Sequence, residues 1–270
     1  MKNTNTPELV YHYTSLESFL KIWESQSLLF GCTRHLNDIF ERNKIITTSG
    51  QSLPIIGTAK TEIERIQKFT KLFWEALYNY RQISLTCGYR KKLPKGYDIP
   101  MMWGHYARSR KTKRSKWQDG VCIELDFGKL NLANIECFSR RVIYTENIPP
   151  ISLDDYNFIT GSIDDYIIKH IKDLFFIKHN SWKPEREYRI ITNDPNVQSL
   201  SIANAITGIY VPENESKTMR AVESVVGDDQ MLFYLSNSCA QGRRRLSCYN
   251  VHKMREYEQG KRRYVKPTNP

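Results

Sequence analysis

The 270-residue sequence has no C-x-x-C pair among its six cysteines, which stand at positions 32, 87, 122, 137, 239 and 248. Without that spacing neither a zinc knuckle nor a disulfide framework is indicated, and the cysteines read as reduced core thiols. Long apolar runs are missing too. The run Leu174 to Ile177 is typical of the longest, and a membrane span needs roughly 20 such residues. The opening Met-Lys-Asn-Thr lacks the apolar segment of a secretory signal. The expectation is a cytoplasmic protein with no membrane partner. No G-x-G-x-x-G or Walker sequence occurs, so a nucleotide would be held without the common phosphate cradles. Nor is there a tight H-x-x-x-H or paired-Asp signature, and no metal is expected. No internal repeat is visible.

What is present suits a folded protein: 40% hydrophobic and 12% aromatic residues are enough for one substantial core or two small ones. Acidic residues are scarce in two windows. Arg90 to Trp117 holds ten Lys or Arg and only Asp98 against them, while Gly242 to Pro270 holds nine against Glu256 and Glu258. These windows carry +9 and +7 while the whole chain is +11, which leaves −5 for the remainder. A mildly acidic body with two cationic patches points to functional surfaces. The first patch contains Arg108, Arg110, Lys111, Lys113, Arg114 and Lys116, followed by Trp117, whose ring can stack on a base. The second interleaves Tyr249, Tyr257 and Tyr264 with its cations. Single-stranded nucleic acid suits both, and a solvated loop plus a basic tail is the plainer reading of the same runs.

Periodicity predicts one mixed α and β domain over residues 1–255, with a basic insertion at 108–117 and a basic tail at 256–270. Thr14 with Glu17 has the form of a capping box, starting a helix that runs to about Ser25. Leu28 to Thr33 reads as a strand. Ile63, Ile66, Phe69, Phe73, Leu77 and Tyr80 recur at helical spacing, ahead of a strand from Ile83 to Cys87. Val121, Ile123 and Leu125 alternate with polar or small partners, and Arg141 to Tyr144 continues the strand pattern. Ser162 starts an amphipathic helix with Ile163, Ile167, Ile171, Leu174 and Phe175 inward. Later strands are expected at 187–192, 206–211, 231–235 and 246–251, with a helix at 215–225. Strands and helices do not alternate strictly, so an α+β sandwich is expected rather than a doubly wound parallel sheet.

The most informative stretch is Trp182-Lys-Pro-Glu185-Arg-Glu187-Tyr-Arg189. If it opens a strand, Glu185, Glu187 and Arg189 share one face as an exposed polar cluster at a sheet edge. Taken alone, such a cluster is a surface salt bridge. Three other units accompany it: Tyr11-His12-Tyr13-Thr14, then His35-Leu36-Asn37-Asp38-Ile39-Phe40-Glu41, then Met102-Trp103-Gly104-His105-Tyr106-Ala107. In this order they resemble a bacterial domain family, long uncharacterised, with H-Y-T, L-N-D-x-F-E, W-x-H-Y-A and W-x-x-E-x-E-x-R signatures. That family is similar to the ADP-ribosyltransferase superfamily, whose NAD sites take a His, an aromatic and a Glu from separate strands. The resemblance spans roughly residues 8–235. The chain departs from it at Ile39, where a Pro often precedes the Phe-Glu pair, and in the basic segment that splits Ala107 from Gly120.

The resemblance implies an ADP-ribosyltransferase-like mixed sheet sandwich with flanking helices and a central cleft. It implies NAD consumed as a substrate, and Glu187 as the carboxylate that stabilises the oxocarbenium-like ribose. Glu185 is two residues away and can exchange roles with it. His12 is cast as the ribose-bonding histidine, Tyr106 or Tyr13 as the ring stacked on nicotinamide, with Thr14 and His105 beside them. A single His otherwise satisfies a local hydrogen bond, and Thr14 otherwise only caps a helix. Trp103, Phe40 and Trp182 read as core wedges. Asn37, Asp38 and Glu41 fasten a loop or touch the substrate, and Arg189 pairs with Glu185 or contacts the pyrophosphate. The implied class is a bacterial toxin or phage-defence effector that modifies RNA or DNA and is restrained by an antitoxin protein. A catalytically inactive nucleic-acid-binding module and a metal-dependent nuclease are the rival readings.

Overall fold

The computed structural model describes residues 6–35, 38, 41, 44, 46–47, 59–88, 95–107, 119–153, 156–158, 160–213, 216–227, 231–240, 243–251 and 253–254. The basic segment 108–117, the tail 256–270, and Asn37, Ile39 and Phe40 lie outside the described residues. The protein is mixed α and β, with a large mixed sheet and several helices. Its strands are β1 (Leu9–Ser15), β2 (Ser27–Leu29), β3 (Gly31–Cys32), β4 (Ile46–Thr47), β5 (Arg81–Gly88), β6 (Gly120–Asp126), β7 (Phe138–Arg141), β8 (Ile143–Thr145), β9 (Ile151–Ser152), β10 (Ile177–His179), β11 (Glu187–Thr192), β12 (Ser199–Ser201), β13 (Ile206–Pro212), β14 (Leu232–Ala240) and β15 (Arg243–Asn250). The chain divides into two compact units, each assembled from separated segments: residues 1–28, 85–131 and 201–270 in the first, 29–84 and 132–200 in the second.

In the first unit β15 pairs antiparallel with β14, β14 parallel with β13, β13 antiparallel with β6, and β6 antiparallel with β1, which also pairs with the last residues of β5. The parallel pair requires a crossover, supplied by helix Ser216–Val226. The β1 sequence Leu-Val-Tyr-His-Tyr-Thr-Ser is rich in residues that fit a pleated, half-buried surface. Its Tyr11 and Tyr13 point to one face, where they pack with Met102 and Trp103 of helix Pro100–Tyr106 and with Cys122 and Tyr210. That helix escaped the periodicity analysis because it is short; its start signal is Pro100 in the first turn. The helix after β1 spans Leu16–Ser25, and its cap is Ser15, whose Oγ accepts from the Ser18 N–H at 3.2 Å. The capping box expected at Thr14 is therefore displaced by one residue, because Thr14 still belongs to β1 and is buried.

In the second unit the long helix is Ala59–Leu77. Phe69, Phe73 and Leu77 lie in a core with Tyr166 and Ile167 of helix Ile163–Lys169 and Leu174 and Phe175 of helix Ile171–Phe175. Ser162 caps the first of these by accepting from the Asp165 N–H at 3.3 Å, as its position predicts. The single amphipathic helix expected there is two, separated at His170, whose backbone leaves helical geometry with ψ 13°. The expected strand 28–33 is likewise divided, into β2 and β3. This unit's ladders include the parallel pairs β4 with β9 and β8 with β10 and the antiparallel pairs β7 with β11 and β3 with the first residues of β5. Among the described residues no helix is long and apolar enough to cross a membrane.

Candidate functional site

The Trp182–Arg189 stretch does not begin as a strand. Residues Asn180–Glu185 form a 3₁₀ helix capped by the His179 side chain, and the chain turns through Arg186 in the left-handed region at φ 48° before β11 begins at Glu187. The alternation expected from Glu185 to Glu187 is thus interrupted, while Glu187 and Arg189, two apart on β11, share a face as expected. Both carboxylates still converge on one cation. Lys178 Nζ of β10 lies 2.7 Å from Glu185 Oε2, 3.4 Å from Glu187 Oε2 and 3.9 Å from Glu41 Oε2.

Arg189 makes the stronger half of the network. Its Nε and Nη2 donate to the two Glu187 oxygens at 2.6 and 2.7 Å, a bidentate pair, while Nη1 donates to Glu41 Oε1 and to the Phe175 carbonyl, each at 2.5 Å. The cluster is interior rather than an exposed sheet edge: Arg189 is 1% exposed, Glu185 3% and Glu187 5%. The partner of Arg189 is Glu41 as well as Glu187, in place of the expected Glu185. A buried guanidinium satisfied on every side is held in one geometry, which a surface pair is not.

Burial alone would raise the Glu187 carboxyl, but the Arg189 and Lys178 charges outweigh it and hold its pKa at about 2. For Lys178 burial works downward and the Glu187 and Glu41 carboxylates overcome it, so its ammonium is stabilised. Lys44 has the opposite outcome: burial pulls its pKa down to about 8, with Arg189 adding to the effect against the opposing Glu41 and Asp38. Tyr144, whose hydroxyl accepts from the Glu187 backbone N–H at 2.8 Å, is pushed up by burial and stays protonated.

A cavity of about 270 Å³ opens beside this network in the second unit. Glu41, Lys44 and Arg189 line it from the charged side, and Arg34, Trp74 and Tyr78 from the other. The Arg34 guanidinium lies over the Tyr78 ring at 4.2 Å, and the Trp74 and Tyr78 rings are 5.7 Å apart. Cations for phosphates, rings for a flat heterocycle and a fixed carboxylate thus meet in one pocket. Of the acids, Glu41 lines it, whereas Glu187 and Glu185 do not. The sequence offers Glu41 as a loop fastener or a substrate contact, and its motifs do not single out Lys178, Lys44 or Trp74. The one available signal was Lys178 itself, a cation directly after the apolar run 174–177.

The remaining candidates belong to the first unit. His12 is on β1, half-buried, and on the face opposite Tyr11 and Tyr13. Tyr13 is a core ring: its hydroxyl donates to the Gly96 carbonyl at 2.5 Å and its edge meets Trp103 at 5.2 Å, so it is not open to stacking by a ligand. Thr14 is buried in β1. His105 and Tyr106 end helix Pro100–Tyr106, with His105 exposed and Tyr106 half-buried. Trp103 is the core wedge expected, its indole N–H donating to the Tyr97 carbonyl at 2.8 Å. Trp182 is partly exposed, with the Lys178 ammonium 4.7 Å from its ring. The cysteines are mixed: Cys87 and Cys122 are buried thiols, but Cys32 is exposed. Among the described residues no three His, Cys, Asp or Glu side chains are grouped to hold a metal ion.

With this geometry in view, similarity to known proteins can be placed on the fold. Residues 102–190 match a family model described as "Protein of unknown function (DUF2971)". The matched span, about a third of the chain, opens at Met102 beside Trp103 and closes just after Arg189, so it takes in the third and fourth motifs. It fits an uncharacterised domain family. No curated protein and no solved structure matches.

Proposed function

We propose that the chain is an NAD-consuming ADP-ribosyltransferase whose acceptor is nucleic acid, RNA ahead of DNA, acting as a toxin or defence effector under an antitoxin partner. The observation that carries this reading is the pocket in which the Glu41 carboxylate, the cations Arg34, Lys44 and Arg189, and the rings of Trp74 and Tyr78 converge. In the reaction the nicotinamide–ribose C–N bond breaks and its electron pair leaves with nicotinamide. A nucleophile of the acceptor bonds to the anomeric carbon and loses its proton. The charge that develops on the ribose calls for a preorganised carboxylate in a site of low dielectric. Glu41 fills that place, because its side chain lines the pocket. Glu187 acts through Arg189, which it grips bidentately and so aims at Glu41. Arg34 and Lys44 suit the pyrophosphate, and Trp74 suits a planar base.

A catalytically silent nucleic-acid-binding module is the second reading, favoured by the saturation of Glu187 with cations. The test is to incubate the protein with labelled NAD and, separately, RNA, DNA and cellular protein. Label in RNA is the expected result, with Arg34→Ala and Trp74→Ala each weakening NAD binding about tenfold without unfolding the protein. Nucleic-acid binding with no consumption of NAD would assign the chain to the silent module.

A further inference from the structure

The first unit contains a cavity of its own, about 410 Å³, lined by Tyr11, Tyr97, Tyr210, Phe233, Glu124 and Thr207, with Lys95 and Cys248 beside them. Its volume lies within the range of small-ligand sites. The register builds it: Glu124 of β6 stands opposite Tyr11 of β1 and opposite Gly208 of β13. The Tyr11 and Tyr210 hydroxyls both donate to Glu124 Oε2, at 2.6 and 2.9 Å, and the Thr207 hydroxyl donates to Oε1 at 2.8 Å. A carboxylate has about four acceptor positions, so among the described residues one remains on Oε1. The rings form a ladder, with Tyr97 stacked on Tyr210 at 4.2 Å and 23°, and Tyr210 on Phe233 at 5.0 Å and 17°.

Glycine backbone makes room for these rings. A Cβ at Gly88 would fall 2.1 Å from the Tyr11 ring and one at Gly96 1.8 Å from it, while one at Gly208 would fall 3.0 Å from the Tyr210 ring. Burial and the Glu124 charge keep Tyr11 and Tyr210 protonated, hence fixed as donors, and burial pushes the Cys248 thiol up to about 11. The result is a preset aromatic wall with one carboxylate acceptor position.

We propose that this cavity receives one unstacked nucleobase of a single strand, its ring against the aromatic ladder and its exocyclic amino group donating to Glu124 Oε1. The inference rests on the nucleic-acid part of the reading above and concerns a different pocket. What favours a base over another flat ligand is the chain that reaches the cavity. Lys95 and Tyr97, which belong to the first cationic window of the sequence, and Cys248, which belongs to the second, all line it, so each window contributes to its wall. Stacking platforms flanked by cations are how single strands are held.

The experiment measures binding of labelled hexacytidylate and hexauridylate without NAD, by the wild type, Tyr97→Leu and Glu124→Gln, with folding checked by circular dichroism. Free CMP and ribose 5-phosphate serve as competitors on the wild type. The expected results are competition by CMP and not by ribose 5-phosphate, a loss of about tenfold or more in Tyr97→Leu, and removal of the preference for cytosine in Glu124→Gln. Strand binding that CMP does not displace, or that Tyr97→Leu retains at full strength, would overturn the base pocket and leave the nucleic-acid acceptor standing. Absence of strand binding by the wild type would overturn both.

Discussion

Glu187 and Arg189 are a case where the proposed chemistry and the stability of the fold use the same atoms. Replacing one member of a buried, bidentate pair leaves the other charged and unpaired, at a cost of about 3–5 kcal/mol. Glu187→Gln should therefore lower the urea midpoint strongly, whereas Lys21→Ala, which breaks the exposed pair with Glu17, should change stability by less than about 0.5 kcal/mol. Any loss of transfer by Glu187→Gln has to be read against its folded fraction. The same residue sets an acid limit. Between its ordinary value of 4.5 and its folded value of about 2, the unfolded chain takes up a proton that the folded chain refuses. Its contribution, about 3 kcal/mol, is fully present above pH 4.5 and is lost as pH falls through 2. Lys44 runs the other way. Its folded pKa of about 8 lies below the ordinary 10.5, so stability rises across that interval as the unfolded chain holds a proton the folded one has released. Stability curves of Lys44→Met should lack that rise.

Elements of strong period were legible in the sequence: β11, helix Ser216–Val226 and the Ser162 cap appear where spacing puts them. What was not legible was decided by single residues and tertiary contacts. Thr14 and Ser15 are both good caps and both pair with β6, but Ser15 is the last residue of the strand while Thr14 is buried within it, so Ser15 is the one that caps. Ser15→Ala should cost about 1 kcal/mol and Thr14→Val should leave the helix intact, measured by thermal melts. Glu124 sat unnoticed in an alternating strand, because nothing local says that two tyrosines and a threonine from other strands will meet its carboxylate. The acid pair of the fourth motif misled through Arg186, whose φ of 48° breaks the period between them. Arg186→Gly should be neutral or slightly stabilising, since glycine adopts that geometry without penalty, and Arg186→Val should destabilise by more than 1 kcal/mol.

At the scale of the molecule, the chain passes between its two units after residues 28, 84, 131 and 200, so neither unit is one stretch of sequence. The span that matches the family model, 102–190, brings β6 without its neighbours β1 and β13, and Arg189 without Glu41. A fragment of those residues should show no cooperative unfolding, because its sheet edges and its buried guanidinium are left unpaired. Charge is distributed on the same whole-chain scale. The −5 body would repel a polyanion, so any nucleic-acid affinity must come from the two cationic windows. If phosphates neutralise those cations, log affinity falls linearly with log salt, with a slope of about −0.7 for each phosphate contacted on a single strand. Neutralising Arg110, Lys111, Lys113 and Arg114 together should flatten that slope by about 3 while leaving NAD hydrolysis in water unchanged, because a segment that only guides the acceptor strand has no part in a reaction with water. A slope unaltered by the fourfold change would remove the first window from the interface and assign the affinity to residues 242–270.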